Sequence, residues 1–505
     1  MANRARTRYT ADDFPDPAST DHIRHNPSLD DLRAFSAHLE TTTEYGSPSY
    51  VSDYRSRSSE QTRNAVDHEF GDDDYVAFES ALDFVEDASN DVVAVDRVVG
   101  RHPDTSFVCR LFVPKEYGRI ALSWAKLLEP APADADPDFV TVQVPDRDET
   151  TIRILPEEGV TAVLGSDYTG EAKKSFLRLY MYRAKQQGGL GLHAGSKRVH
   201  LDDDAGERDV GQLFLGLSGT GKSTLTSHGL WLDDPEGAEM LQDDVCALLP
   251  NGTVTGSEGK GLYIKTIGLE ADEQPELHGA ATSETAALEN VAVDDDGTVH
   301  FDEPRYGSNS RAVVLRDELE SAADDIDLPS VDQVFFITRN PLMPPVAKLD
   351  EAQAAAAFML GESVETSAGD PSRAGESIRV VGTNPFIMGS KGEEGNRFRD
   401  LISDLGVDCF VLNTGVVGTD TPADVGVEET VALLEAVARG TVSWTTDDDL
   451  GLTVPSQVPG MDIDSFSVAD RTADFADAHQ SLTEERREYL ESFPALDDDI
   501  VDATY

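Results

Sequence analysis

Apolar residues recur along this chain in two rhythms. Short continuous or alternating runs occupy Leu213 to Leu215, Val334 to Thr338, Cys409 to Leu412 and Ile152 to Leu155. Phe139 to Val144 is another, with Val140, Val142 and Val144 on one face. Runs of this length predict strands, the continuous ones buried on both faces. Helical spacing appears over Glu171 to Lys185, where Phe176, Leu177, Leu179 and Tyr180 fall on one side, and over Glu351 to Leu360 and Glu428 to Ala438. A further helix is expected near Leu29 to Glu40. Asp294 to Asp296 ahead of Gly297 predicts a turn, and Thr446 to Leu450 a solvated acidic loop. From about residue 190 strands and helices alternate, which predicts an α/β fold. At 505 residues the chain exceeds one typical core. The expected division is a polar, partly disordered segment over 1–60, a smaller mixed α/β domain over 61–190, a larger domain over 191–490 and an acidic tail over 491–505. Two lobes with a cleft between them are the expected architecture.

Charge changes this picture more than hydropathy does. The chain has 41 basic and 96 acidic residues, a net −55, spread along its whole length. Such a surface repels nucleic acid and anionic membranes. A folded, lysine-poor, uniformly acidic chain is expected to stay soluble in molar salt, where self-repulsion is screened, as in a halophile cytoplasm. Cys109, Cys246 and Cys409 lack metal or redox spacing, which fits a reducing cytoplasm. No apolar stretch has transmembrane length, and Met1 to Thr10 leads into polar residues rather than a signal core.

The chemistry concentrates at Gly216-Leu217-Ser218-Gly219-Thr220-Gly221-Lys222-Ser223-Thr224. This is the phosphate-binding loop pattern, placed between an expected strand and an expected helix. Its glycines let backbone N–H groups turn toward phosphate oxygens, Lys222 supplies a mobile cation, and the Ser223 hydroxyl can ligate Mg²⁺. The loop makes 191–490 a nucleotide-binding domain. Asp243 and Asp244 follow Met240 and Leu241 one strand further on, where carboxylates can order a bound Mg²⁺. In so acidic a chain the same pair also reads as a surface feature.

Further segments fall in the order and spacing of a known family. The phosphate loop and Gln242-Asp243-Asp244, together with Tyr168-Thr-Gly-Glu-Ala-Lys-Lys174, resemble the ATP-dependent phosphoenolpyruvate carboxykinases. His193, nineteen residues after Lys174, matches that family's metal histidine. Gly100-Arg101-His-Pro103, Tyr263-Ile-Lys265-Thr266, Asn309-Ser-Arg311, Asn413-Thr-Gly415 and Val454 to Gly460 agree as well. The resemblance covers about residues 90 to 465 in patches. It implies conversion of oxaloacetate and ATP into phosphoenolpyruvate, ADP and CO₂, with Mg²⁺ and Mn²⁺. By resemblance, Arg101 and Tyr168 hold the substrate, and Arg311 bridges substrate and γ-phosphate. Lys174, His193 and Asp244 ligate Mn²⁺. Asp243 orders Mg²⁺-bound water, and Lys265, Val425 and Thr430 contact the nucleotide. Two anionic reactants must be brought together, which explains so many cations in so acidic a chain.

The chain departs from the family pattern in four places. Val245 and Cys246 replace glutamate and histidine after the aspartates. Ala194-Gly-Ser-Lys197 replaces cysteine-serine-alanine-asparagine after His193. Gln274 before Pro275 replaces a glutamate, and the adenine-packing arginine aligns near Asp424. Phosphate, metal and substrate residues are therefore kept better than the base pocket. A divergent phosphate-loop kinase acting on another small acid or a protein hydroxyl is the alternative expectation, and a non-catalytic nucleotide-binding regulator a third.

Overall fold

The computed structural model describes residues 8–53, 61–203, 206–217, 219–307, 309–364 and 377–505. In chain order the elements carrying the site residues begin with helix α1 (Thr169–Gln186), strands β1 (Ala194–Asp203) and β2 (Gly206–Leu215), and helix α2 (Lys222–Ser227). Strands β3 (Gly237–Gln242), β4 (Gly261–Lys265), β5 (Ala287–Glu289), β6 (Arg311–Leu315), β7 (Gln333–Thr338) and β8 (Asp408–Asn413) follow, then helix α3 (Val427–Arg439). The strands and long helices expected from the apolar rhythm are present within a few residues of their expected ends.

The chain forms two compact units that are not consecutive in sequence. The first comprises the chain up to Arg183 with Ser257–Glu320, the second Ala184–Gly256 with Ser321–Tyr505. This corrects the linear division at residue 190. The reason is a strand pairing invisible in local sequence. Strand β5 runs parallel to Pro48–Tyr50, matching Leu288 with Ser49 and Glu289 with Tyr50. Asn290 Oδ1 then accepts from the Ser52 backbone at 2.9 Å. The sheet β4–β6–β5 is thereby completed by strands from the N-terminal segment.

That segment is correspondingly more ordered than its composition predicts. Among its described residues Tyr9, Phe14, Ile23 and Leu32 are buried, the first three in the core that includes Phe78 and Phe112. A few well-placed apolar residues suffice to anchor a polar stretch. The helix expected near Leu29 to Glu40 is an α-helix over Leu29–Phe35 continued by a 3₁₀ turn at Ala37–Leu39. The acidic tail is packed as well. It contains a helix at Asp498–Asp502 whose Ile500 and Val501 are buried, and the Tyr505 carbonyl accepts from Arg486 Nη1 at 2.6 Å. The loop expected at Thr446 to Leu450 begins as strand, since Ser443–Asp447 pairs with Leu452–Gln457.

The second unit is organised by an eight-stranded sheet whose centre is parallel: β2 beside β7 beside β8. Alternate residues feed two cores. Leu213, Leu215, Val334, Phe336, Cys409 and Val411 face one; Phe214, Phe335, Ile337, Phe410 and Leu412 face the other. Phe214, Phe335 and Phe410 stack across the strands with centroids 5.3 and 5.2 Å apart. Burial on both faces is why these strands read as continuous apolar runs. All three end together, leaving the phosphate loop, Arg339 and Thr414 at their carboxyl ends, where open α/β sheets bind ligands. No described helix is long and apolar enough to cross a membrane.

Candidate active site

In the second unit, the phosphate loop leaves β2 and turns through Gly219 and Gly221, at φ +85° and +95°. Side chains with a Cβ are strained there, so glycine is required by backbone shape. Gly216 is required for room: an added Cβ would lie 2.6 Å from Thr220 Oγ1. Thr220 Oγ1 donates to Leu217 O at 2.8 Å, and Thr414 Oγ1 at the end of β8 donates to Thr220 O at 2.8 Å. Ser218 lies outside the described residues. Lys222, Ser223 and Thr224 open α2.

The strand β3 delivers Asp243 and Asp244 to this loop. Lys222 Nζ donates to Asp243 O at 2.5 Å and lies 4.0 Å from Asp244 Oδ1, and Ser223 Oγ donates to Asp243 Oδ2 at 3.1 Å. Asp243 Oδ1 is buried with no partner. A buried carboxylate oxygen costs free energy unless a donor or cation reaches it. The lysine, hydroxyl and carboxylate that an Mg²⁺–nucleotide needs are thus assembled, with one oxygen left over.

His193 stands between β1 and the preceding short strand Leu190–Leu192. Its Nδ1 lies 2.7 Å from Thr383 O. A carbonyl can only accept, so Nδ1 carries the proton and Nε2 presents its outer face to Asp244 Oδ1 at 3.0 Å. Two acceptors at that separation need a cation between them or a proton on Nε2. A backbone carbonyl orienting one ring nitrogen while the other meets a carboxylate is the arrangement of a metal-ligating histidine. The donor set therefore fits a divalent ion. Among the described residues no group of three His, Cys, Asp or Glu side chains does so. The expected third donor, Lys174, is a lysine of the first unit.

In the first unit, Lys174 lies 3.6 Å from Glu171 Oε1 within α1, with its ammonium 5.5 Å from the centroid of the Tyr168 ring. Tyr168 and Tyr263 have centroids 6.5 Å apart. The antiparallel register of β4 and β6 sets Lys265 opposite Arg311 and Tyr263 opposite Val313. Arg311 stacks over the Tyr263 ring at 5.8 Å and donates to Ser310 O at 3.0 Å. Arg101 Nη2 donates to Glu129 Oε1 and Gly259 O, both at 2.8 Å. Arg101, Tyr168, Lys174, Lys265 and Arg311, scattered through the sequence, thus all lie in one unit.

Three residues not singled out from sequence support these groups. Buried Glu289 accepts from Tyr263 Oη at 2.6 Å, Thr169 N at 3.0 Å and Arg119 Nη1 at 3.2 Å, tying β4, β5 and the start of α1 together. Lys173 forms a buried ion pair with Glu258 at 3.1 Å. In the second unit Lys197 is fully buried beneath α2 and donates to Leu225 O and His228 O, both at 2.5 Å. Burial pushes its ammonium down to about 7. Gly195 lets α2 approach, since an added Cβ would lie 2.2 Å from Thr226 Oγ1. The departure at 194–197 was the only sequence signal for this tether. Cys246, another departure, is a buried thiol pushed up to about 12 by desolvation.

The two positions expected to contact the nucleotide by resemblance, Val425 and Thr430, are both buried. Val425 is buried, and its N–H donates to Gly415 O at 2.8 Å; Thr430 is buried with its hydroxyl donating to Gly426 O at 2.8 Å in the first turn of α3.

With this geometry in hand, comparison with known proteins is decisive. The family model described as phosphoenolpyruvate carboxykinase matches residues 41–464. The chain belongs to the phosphoenolpyruvate carboxykinase family. Among its relatives, phosphoenolpyruvate carboxykinase (ATP) of Aeropyrum pernix is 34% identical over 484 residues, covering 95% of this chain and 96% of the relative. The proteins of the same name from Mesorhizobium japonicum and Bradyrhizobium diazoefficiens are 32% and 31% identical over 326 residues. Those two alignments cover 63% and 62% of this chain and 58% of each relative.

Proposed function

We propose that this chain is an ATP-dependent phosphoenolpyruvate carboxykinase acting in the cytoplasm. Oxaloacetate loses CO₂ by breaking its C–C bond, leaving the electron pair on the pyruvate enolate. The enolate oxygen attacks the γ-phosphorus of ATP, the bridging P–O bond breaks, and phosphoenolpyruvate and ADP leave. The observation that carries the reading is His193 Nε2 at 3.0 Å from Asp244 Oδ1, beside a phosphate-loop lysine. A plain kinase has use for the loop and the aspartates but none for an oriented histidine completing a second metal site.

The residues divide the work as follows. Lys222, Ser223 and the backbone of the phosphate loop would hold the nucleotide phosphates, and Asp243 would order water on a bound Mg²⁺. Lys174, His193 and Asp244 would hold Mn²⁺, which supplies positive charge where the enolate oxygen develops. Arg101 takes a substrate carboxylate, Tyr168 supports the substrate by its edge, and Arg311 spans substrate and γ-phosphate. Lys265 adds charge from the strand opposite Arg311. In this scheme Val425 and Thr430 shape the nucleotide pocket from behind.

The test is phosphoenolpyruvate formation from oxaloacetate by purified protein in molar KCl, with ATP, GTP and pyrophosphate offered separately alongside Mg²⁺ and Mn²⁺. ATP-dependent product is expected. Folded protein that binds ATP but forms no product with any donor would move the assignment to a kinase for another small acid or a protein hydroxyl.

A further inference from the structure

Within the second unit, the carboxyl ends of β2, β7 and β8 bring together the phosphate loop, Arg339 and Asn413 to Gly415. Arg339 follows β7 directly, and its neighbours pin it. Thr414 N donates to Thr338 O at 3.0 Å and Asn340 N to Thr338 Oγ1 at 3.2 Å. The aliphatic stem of Arg339 lies against Gly415, where an added Cβ would come 3.1 Å from Arg339 Cβ and 3.2 Å from its Cγ. A side chain at position 415 would therefore crowd the Arg339 stem. Gly415 is itself held by Asn413 Oδ1, 3.0 Å from its N–H, and by the bond from Val425 N to its carbonyl. Its neighbour Thr414 is the residue that braces Thr220 inside the phosphate loop.

Charge makes Arg339 unusual. Acidic residues outnumber basic ones 96 to 41, and several half-buried or buried arginines elsewhere use them. Arg110 meets Asp96 at 2.7 Å, Arg119 meets Asp167 at 2.7 Å, Arg439 meets Glu236 at 2.6 Å and Arg486 meets Glu362 at 2.7 Å. Arg339 is half-buried and meets no carboxylate among the described residues, and its Nε is buried without an acceptor. Desolvation lowers its guanidinium with nothing opposing it. Burying an unpaired cation is costly, and a chain so rich in carboxylates had partners to offer. A guanidinium with no carboxylate partner, on a residue packed against the Thr414–Gly415 turn that braces the phosphate loop, suits the planar, bidentate recognition that phosphate oxygens receive from arginine.

We infer that Arg339 is a further nucleotide ligand, donating to a phosphate oxygen of the polyphosphate held by the loop. It thereby adds a second cation to Lys222 on the same unit. The inference rests on the nucleotide reading of that loop. It assigns Arg339 to the phosphates rather than to the base, because its stem packs on the residues that brace the loop.

Equilibrium binding of ATP, ADP and adenosine to the full chain tests it, with wild type, Arg339→Met and Arg339→Lys compared after melting curves establish that each is folded. Arg339→Met keeps the stem and removes the charge. It should bind ATP and ADP about 10- to 100-fold more weakly and adenosine unchanged. Arg339→Lys should recover part of the loss. Wild-type ATP affinity in Arg339→Met would overturn the inference. An equal loss for ATP, ADP and adenosine would overturn it too, by pointing to the base. Wild type that binds none of the three would instead remove the nucleotide reading, and the inference with it.

Discussion

The two units present their cations in different ways. In the second, Lys222 rests on the Asp243 carbonyl and near Asp244, and the loop around it is shaped by glycine backbone. In the first, Lys173, Lys174 and Arg311 lie over the faces of Tyr263 and Tyr168, and the Tyr263 ring is held by the buried carboxylate of Glu289. A phosphate cradle is made mostly of backbone, so its residues are contiguous and its support is the sheet beneath. The tyrosine–cation cluster is made of side chains, so its residues come from separate elements and its support is a buried ion network. The first kind of site can lose a side chain and keep its fold. The second ties function to stability.

Mutations that separate activity from stability sharpen that contrast. The largest effect is expected for Lys222→Ala, which should lower kcat on the order of 10²- to 10³-fold while leaving the denaturation midpoint close to wild type. A large shift in midpoint would break the contrast. Glu289→Ala should do the reverse. It leaves Arg119, Tyr263 and Thr169 short of an acceptor in a buried site and should cost about 3 kcal/mol in urea unfolding. Lost activity at unchanged stability would show that Glu289 is not the support described. His193→Ala comes next. The metal concentration for half-maximal activity should rise at least about 10-fold, with ATP binding held within about 2-fold. Full metal activation in that variant would remove His193 from the metal set.

The smallest effect is a pH dependence carried by Lys197. Its folded-state value of about 7 lies below the unfolded 10.5. Between these, the unfolded chain holds a proton the folded chain has released, so stability rises with pH across this window. From pH 7 to pH 8 the Lys197 contribution should be about 1 kcal/mol. Lys197→Met, followed by denaturant titration at both pH values, should lose that increment. An identical pH response in both proteins would show that the amine does not titrate there.

These same contrasts explain what was legible in the sequence. Strands buried on both faces announce themselves as apolar runs, so the centre of the second unit was visible. The phosphate loop was visible because its glycines and lysine are adjacent. The pairing of Ala287–Glu289 with Pro48–Tyr50 was not, since a parallel ladder between segments so far apart leaves no local trace. Hence apolar rhythm alone puts a boundary near residue 190 and gives no sign of how the N-terminal segment is anchored. Glu289, Lys197 and Arg339 were missed for a related reason. A buried acid, a buried lysine and an unpaired arginine look like ordinary surface charges until burial is known, most of all in a chain with 96 acidic residues.

This chain is expected to couple decarboxylation to phosphoryl transfer in one turnover. The most direct measurement is a single turnover with oxaloacetate and ATP labelled in the γ-phosphate, following label and CO₂ together. Label should enter phosphoenolpyruvate one-for-one with CO₂ released, with neither event on the wild-type time scale in Lys222→Ala. Label recovered only as inorganic phosphate, or transferred to another acceptor without CO₂, would contradict it.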